Sequence, residues 1–73
     1  MPKPSENHVY KMLELTGTSG KSIEDAVQTA VSRANQTVRN LRWFQITELR
    51  GAIEKGQVSE WQVMLKAGFR LEE

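Results

Sequence analysis

The chain has no cysteine and a single histidine, His8. The first absence excludes disulfides, thiolate metal sites and a cysteine nucleophile. The second leaves no multi-histidine metal site. Proline is confined to Pro2 and Pro4, so nothing beyond the N-terminus is broken by it. Charge of one sign is not in excess. Ten Lys and Arg stand against nine Asp and Glu, for a net charge of +1. A non-specific grip on a nucleic-acid backbone needs many uncompensated cations, so this balance argues against it. No apolar run approaches the roughly 20 residues that span a bilayer, and no signal peptide is visible. Together with the missing cysteine, this fits a cytoplasmic protein. Length is also scarce. A chain of 73 residues makes one domain. A core of that size supplies about 3–5 kcal/mol at most. With disulfides and a metal set aside, assembly is the remaining source of stability.

Several segments carry clear periodicity. Residues 1–7, with both prolines and no apolar stretch, read as a flexible tail in front of a single domain over 8–73. Residues 8–16 alternate, with Val9, Lys11, Leu13 and Leu15 on one side and Tyr10, Met12, Glu14 and Thr16 on the other. That period of two predicts a strand, which Gly17-Thr18-Ser19-Gly20 would end. Ser22 then has the character of a helix N-cap, with Glu24 and Asp25 in the first turn where the helix dipole favours negative charge. Ile23, Ala26, Val27, Ala30, Ala34, Thr37, Val38 and Leu41 recur at spacings of three and four, one apolar stripe on a helix of about 17 residues. Alternation returns over 42–53, with Phe44 and Ile46 against Trp43, Gln45, Thr47 and Leu49. It returns again over 57–71, with Trp61, Val63, Leu65, Ala67, Phe69 and Leu71 against Val58, Glu60, Gln62, Met64, Lys66, Gly68 and Arg70. Glu54-Lys55-Gly56 is a hairpin turn between them.

The fold class is therefore α+β. A β-α-β-β unit forms a three-stranded antiparallel sheet of order 1-3-2 with one helix on one face. One helix covers one face only. Trp43, Leu49 and Met64 would lie on the other, and apolar surface of that kind marks an interface or a ligand site.

Other features point to less. Gly17-Thr18-Ser19-Gly20-Lys21-Ser22 contains Gly-Lys-Ser between a strand and a helix, yet a phosphate-binding loop needs four residues between its glycines and here there are two. A tight turn followed by a helix cap accounts for it. Between Asp25 and Glu48 the chain has Arg33, Arg39 and Arg42 and no acid, which makes either a patch for a phosphate-bearing ligand or a solvated helix face. Alone, Trp43 suits a core or interface, Gln62 an exposed strand position, and Arg50 an ion pair with Glu48 or Glu60. No nucleophile–base pair or paired carboxylates can be placed, so no enzymatic activity is expected.

The combination Leu15-Thr16-Gly17-Thr18-Ser19, Arg39-Asn40-Leu41-Arg42-Trp43-Phe44, Arg50-Gly51, Trp61-Gln62-Val63 and Gly68-Phe69-Arg70-Leu71-Glu72, in this order and over nearly the whole chain, resembles the dodecin family. The resemblance implies a hollow homododecamer that binds flavins in pairs, FMN in first place and riboflavin as the other possibility. It implies that Trp43 stacks on the isoalloxazine ring, that Gln62 hydrogen-bonds its polar edge, and that Arg50 lies near the ligand, as in members that favour FMN. Lys11 and Arg70 match basic positions near the phosphate, and Arg33 and Arg39 match basic positions that hold coenzyme A in some members. The implied role is flavin storage and photoprotection without turnover. The competing readings are a small nucleic-acid-binding βαββ module using Arg33, Arg39 and Arg42, and a structural or coenzyme A carrier assembly.

Overall fold

Alternation in the first segment produces β1, Tyr10–Ser19, in the computed structural model, which describes residues 7–72. All but Asn7 of the expected N-terminal tail lies outside the described residues. The strand does not stop at Gly17. Gly17, Thr18 and Ser19 remain paired with Val63, Gln62 and Trp61. The glycine marks a close approach by the helix: a Cβ there would lie 2.1 Å from the Ala26 carbonyl oxygen.

Helix α1, Ile23–Ala34, starts as expected. Ser22 is the N-cap, and its Oγ accepts from the Asp25 N–H at 3.0 Å. Buried Ser19 accepts from the Lys21 and Ser22 N–H groups at 2.9 and 3.3 Å and donates to Asp25 Oδ2 at 2.7 Å. Those two N–H groups thus point inward at Ser19 and do not cradle a phosphate.

The helix has 12 residues, shorter than the apolar stripe led one to expect. Asn35 caps it, and the N–H groups of Thr37 and Val38 both bond to the Ala34 carbonyl, closing a tight last turn. The Asn-Gln-Thr-Val run has low helix propensity, and Asn40 takes a positive φ of 67° that turns the chain into the next strand. Leu41 still reaches the core, but from that strand.

Strands β2, Leu41–Glu54, and β3, Gln57–Arg70, form the hairpin, and the sheet order is β1-β3-β2 with both pairings antiparallel. Two residues turn the hairpin, and both have positive φ: Lys55 at 53° and Gly56 at 76°. This is the mirror-image turn that suits the sheet twist, and it favours Asn or Gly at both positions. Lys55→Asn is expected to stabilise the protein by about 0.5–1 kcal/mol, seen as a higher urea midpoint at unchanged slope. An unchanged or lower midpoint would show that the turn is not strained.

The core is small. Ala26, Ala30, Val63, Leu65 and Ala67 are buried, with Leu13, Leu15, Ile23, Val27 and Leu41 packed around them. The alanines let the helix lie close on β1 and β3, the two strands it contacts. Twelve helical residues reach about 18 Å, whereas 14-residue strands reach about 46 Å. The helix therefore leaves β2 and the far half of the hairpin bare. Phe44, Ile46, Leu49 and Ile53 are large, apolar and exposed.

Register shifts interrupt the simple alternation of β2. Ile46 pairs with Leu65, but Glu48, not Thr47, pairs with Met64. Thr47 is the extra residue of a bulge, and its Oγ1 donates to the Met64 carbonyl at 3.2 Å. Beyond this point the faces exchange. Leu49 falls opposite Val63 on the helix side, so its expected place beside Trp43 is wrong. Glu48 and Arg50 fall opposite Met64 and Gln62 on the other side.

Candidate functional site

The sheet face turned away from the helix has two polar or aromatic clusters. At one end, Trp43 and Met12 flank Gly68 from the two sides of the central strand. A Cβ on Gly68 would lie 2.4 Å from Cε2 and Cζ2 of Trp43 and 2.9 Å from Cδ2. All three atoms belong to the benzo ring, so the indole lies down on the strand. Its other side remains open, with the residue 43% exposed. Tyr10 supplies a neighbour, its ring centroid 6.4 Å from that of Trp43 at 49°. Arg70, on β3 two residues past Gly68 and paired with Tyr10, adds a cation to the same end. Its backbone is tied on both sides to Asn40.

At the other end, Thr18, Gln62 and Arg50 form one row across the three strands. Arg50 Nε donates to Gln62 Oε1 at 2.8 Å, and Gln62 Nε2 donates to Glu60 Oε1 at 2.9 Å. The amide is held from both sides, its oxygen toward the arginine and its nitrogen toward the carboxylate. One lone pair and one N–H remain for a ligand. The Thr47 bulge makes this row possible, because strict alternation from Trp43 would put Arg50 on the helix side.

The two clusters share a face but not a place. Gly68 and Gln62 are six residues apart on β3, roughly 20 Å along a strand. A single planar ligand cannot touch Trp43 and Gln62 of the same chain. Lys11 is also apart from them: it pairs with Phe69 and points to the helix side of the sheet.

The arginines between Asp25 and Glu48 are dispersed. Arg33, in the last turn of α1, lines a cleft of about 420 Å³ with Thr16, Thr18, Thr29 and Thr37. Arg39 lines a neighbouring cleft and is ion-paired with Glu72 at 3.3 Å, both side chains exposed. Arg42 is exposed on β2. Among the described residues, no three or more His, Asp and Glu side chains gather as a metal site, and no helix is long and apolar enough to cross a membrane.

The Dodecin family model matches residues 9–72. The chain belongs to the dodecin family. The dodecin of Thermus thermophilus is 52% identical over 65 residues, 89% of this chain and 94% of the relative. The structure of dodecin from Streptomyces coelicolor superposes with a TM-score of 0.88 at 56% identity, covering 93% of this chain and 97% of that one. A calcium dodecin of Mycobacterium tuberculosis is 30% identical over 63 residues, 86% of this chain and 89% of the relative. Its structure, of a calcium-chelating antigen, superposes with a TM-score of 0.75. The bare β2 strand agrees with the oligomeric assembly of dodecins.

Two residues of these clusters escape sequence reasoning. Gly68 was identifiable in principle, since a lone glycine inside a strand pattern marks a close approach or a bulge. Glu60 follows from period two, sharing a face with Gln62, but its hydrogen bond to the amide depends on rotamers that periodicity does not specify.

Proposed function

We propose that this dodecin binds FMN in pairs between copies of itself, within a hollow homododecamer, and so stores the flavin and protects it from light. The observation that carries this reading is the Trp43 indole lying on Gly68 with its outer side open, on the same sheet face as a Gln62 amide fixed by two partners. An open indole face offers a flat ligand a large contact area at low entropic cost. A pre-oriented amide meets a ring edge that has both donors and acceptors. The roughly 20 Å between them supports a site shared by subunits. Arg50 and Arg70 would serve the phosphate, since guanidinium binds it through two parallel hydrogen bonds. That favours FMN over riboflavin. Lys11, on the other side of its own sheet, would reach a ligand only across a subunit boundary.

In such a stack, electron transfer from the indole quenches the excited flavin, and no bond is made or broken. The protein would act as a cytoplasmic flavin buffer and not as an enzyme. The test is a fluorescence titration. FMN emission should fall steeply as purified protein is added, and the yellow colour should co-elute with an assembly much larger than one chain. Undiminished emission at saturating protein would refute the reading.

A second ligand has one observation in its favour. Arg33 and four threonines line a single cleft beside the helix, a composition suited to a phosphate ester, so coenzyme A could bind there. Arg39 adds less, because Glu72 already neutralises it. The same ion pair and the near-zero net charge weigh against the nucleic-acid reading.

A further inference from the structure

Gly68 occupies the middle of a sheet in the central strand, where glycine is a weak choice. Its backbone gives no reason for it. Among the described glycines, Gly56 has a positive φ and Gly68 does not. The reason lies above it. The three nearest atoms to an added Cβ all belong to Trp43, the nearest at 2.4 Å. Carbon atoms in contact stay about 3.5–4.0 Å apart, so a methyl group there would overlap the ring by more than 1 Å.

The nature of the obstacle decides what would give way. At Gly17 the obstacle is helix backbone, and at Gly51 it is the Glu60 carbonyl at 2.8 Å. At Gly68 it is one side chain with two free torsions, on an exposed edge strand. The sheet can accept a methyl group by letting the indole lift. Lifting would spoil what the site needs, because the ring would no longer present its outer side at a fixed height and angle.

We propose that Gly68 is a positioning residue for Trp43: the missing side chain is the seat that holds the indole flat against β3, with the Tyr10 ring beside it. As far as it concerns ligand binding, this rests on the flavin reading above; the seat itself does not.

Gly68→Ala tests it in two ways. Without ligand, the near-UV circular dichroism of Trp43, isolated from that of Trp61 by subtracting the spectrum of a Trp43→Phe variant, should change clearly while the size of the assembly does not. With FMN, affinity should fall roughly tenfold, the stacking part of the contact that a lifted indole loses. A wild-type dichroism spectrum and wild-type affinity in Gly68→Ala would overturn the proposal. If wild-type protein binds no FMN, the flavin reading fails and the dichroism alone decides the seat. If Gly68→Ala does not assemble, the double variant Gly68→Ala/Trp43→Ala should, because the methyl group then has room. Failure of the double variant as well would mean that the strand backbone itself needs glycine, and the seat would be refuted.

Discussion

Trp43→Ala is expected to weaken FMN binding by a factor of about 100 or more while the assembly keeps its size. Stacking contributes about 0.5–1.5 kcal/mol beyond simple burial. Covering one face of an indole, on the order of 100 Å², adds about 2.5 kcal/mol at 25 cal/mol per Å². A loss near 3 kcal/mol is a factor of about 100 in affinity. The fold should tolerate the change. Trp43 is 43% exposed, lies on the face away from the helix, and is not among the side chains that pack the core. The measurements are an FMN fluorescence titration and a sizing-column profile of the same preparation. Unchanged affinity would remove Trp43 from the site, and a dissociated protein would show that the indole serves assembly instead.

Gly17→Val should have the largest effect on stability. A Cβ at Gly17 would lie 2.1 Å from the Ala26 carbonyl oxygen and 3.0 Å from the Ala30 Cβ. The obstacle is helix backbone, which cannot rotate away as a side chain does. To make room, α1 must rise from the sheet and open its contact with Val63 and Leu65, the largest fully buried side chains among the described residues. Overpacking of this kind costs about 3 kcal/mol, and more where backbone is in the way. For a domain of this length that corresponds to a fall of about 12 °C or more in the thermal midpoint. Protein concentration must be held fixed, because assembly makes the midpoint depend on it. Gly20→Ala is the control. Its nearest neighbour would be the Ser59 carbonyl oxygen at 3.7 Å, ordinary contact, so its midpoint should stay close to wild type. Equal midpoints for Gly17→Val and wild type would show that the helix does not press on β1.

The two variants separate the halves of the molecule. One should weaken flavin binding about a hundredfold and leave the fold, the other should damage the fold through a residue pressed against the helix backbone. Between them lies the difference between what is local in this chain and what is not. Alternation placed Trp43 and Gln62 on the face opposite Val63, Leu65 and Ala67, and the structure agrees. The same alternation, carried past Thr47, put Leu49 with them, and the structure reverses it.

Local patterns in the chain were enough for the order of elements, the strand order, the capped start of the helix at Ser22 and the core-facing residues of β3. Those features follow from periodicity, propensity and capping, which act over a few neighbouring residues. The tertiary structure alone decided where α1 stops, which residue of β2 is skipped, that Gly17 is a point of contact and not a turn, and that Gly68 lies beneath an indole. It also decided that the two clusters are too far apart to serve one ligand in one chain. Each of these depends on what stands opposite on another strand or on the helix, and a period of two or 3.6 has no knowledge of its partner.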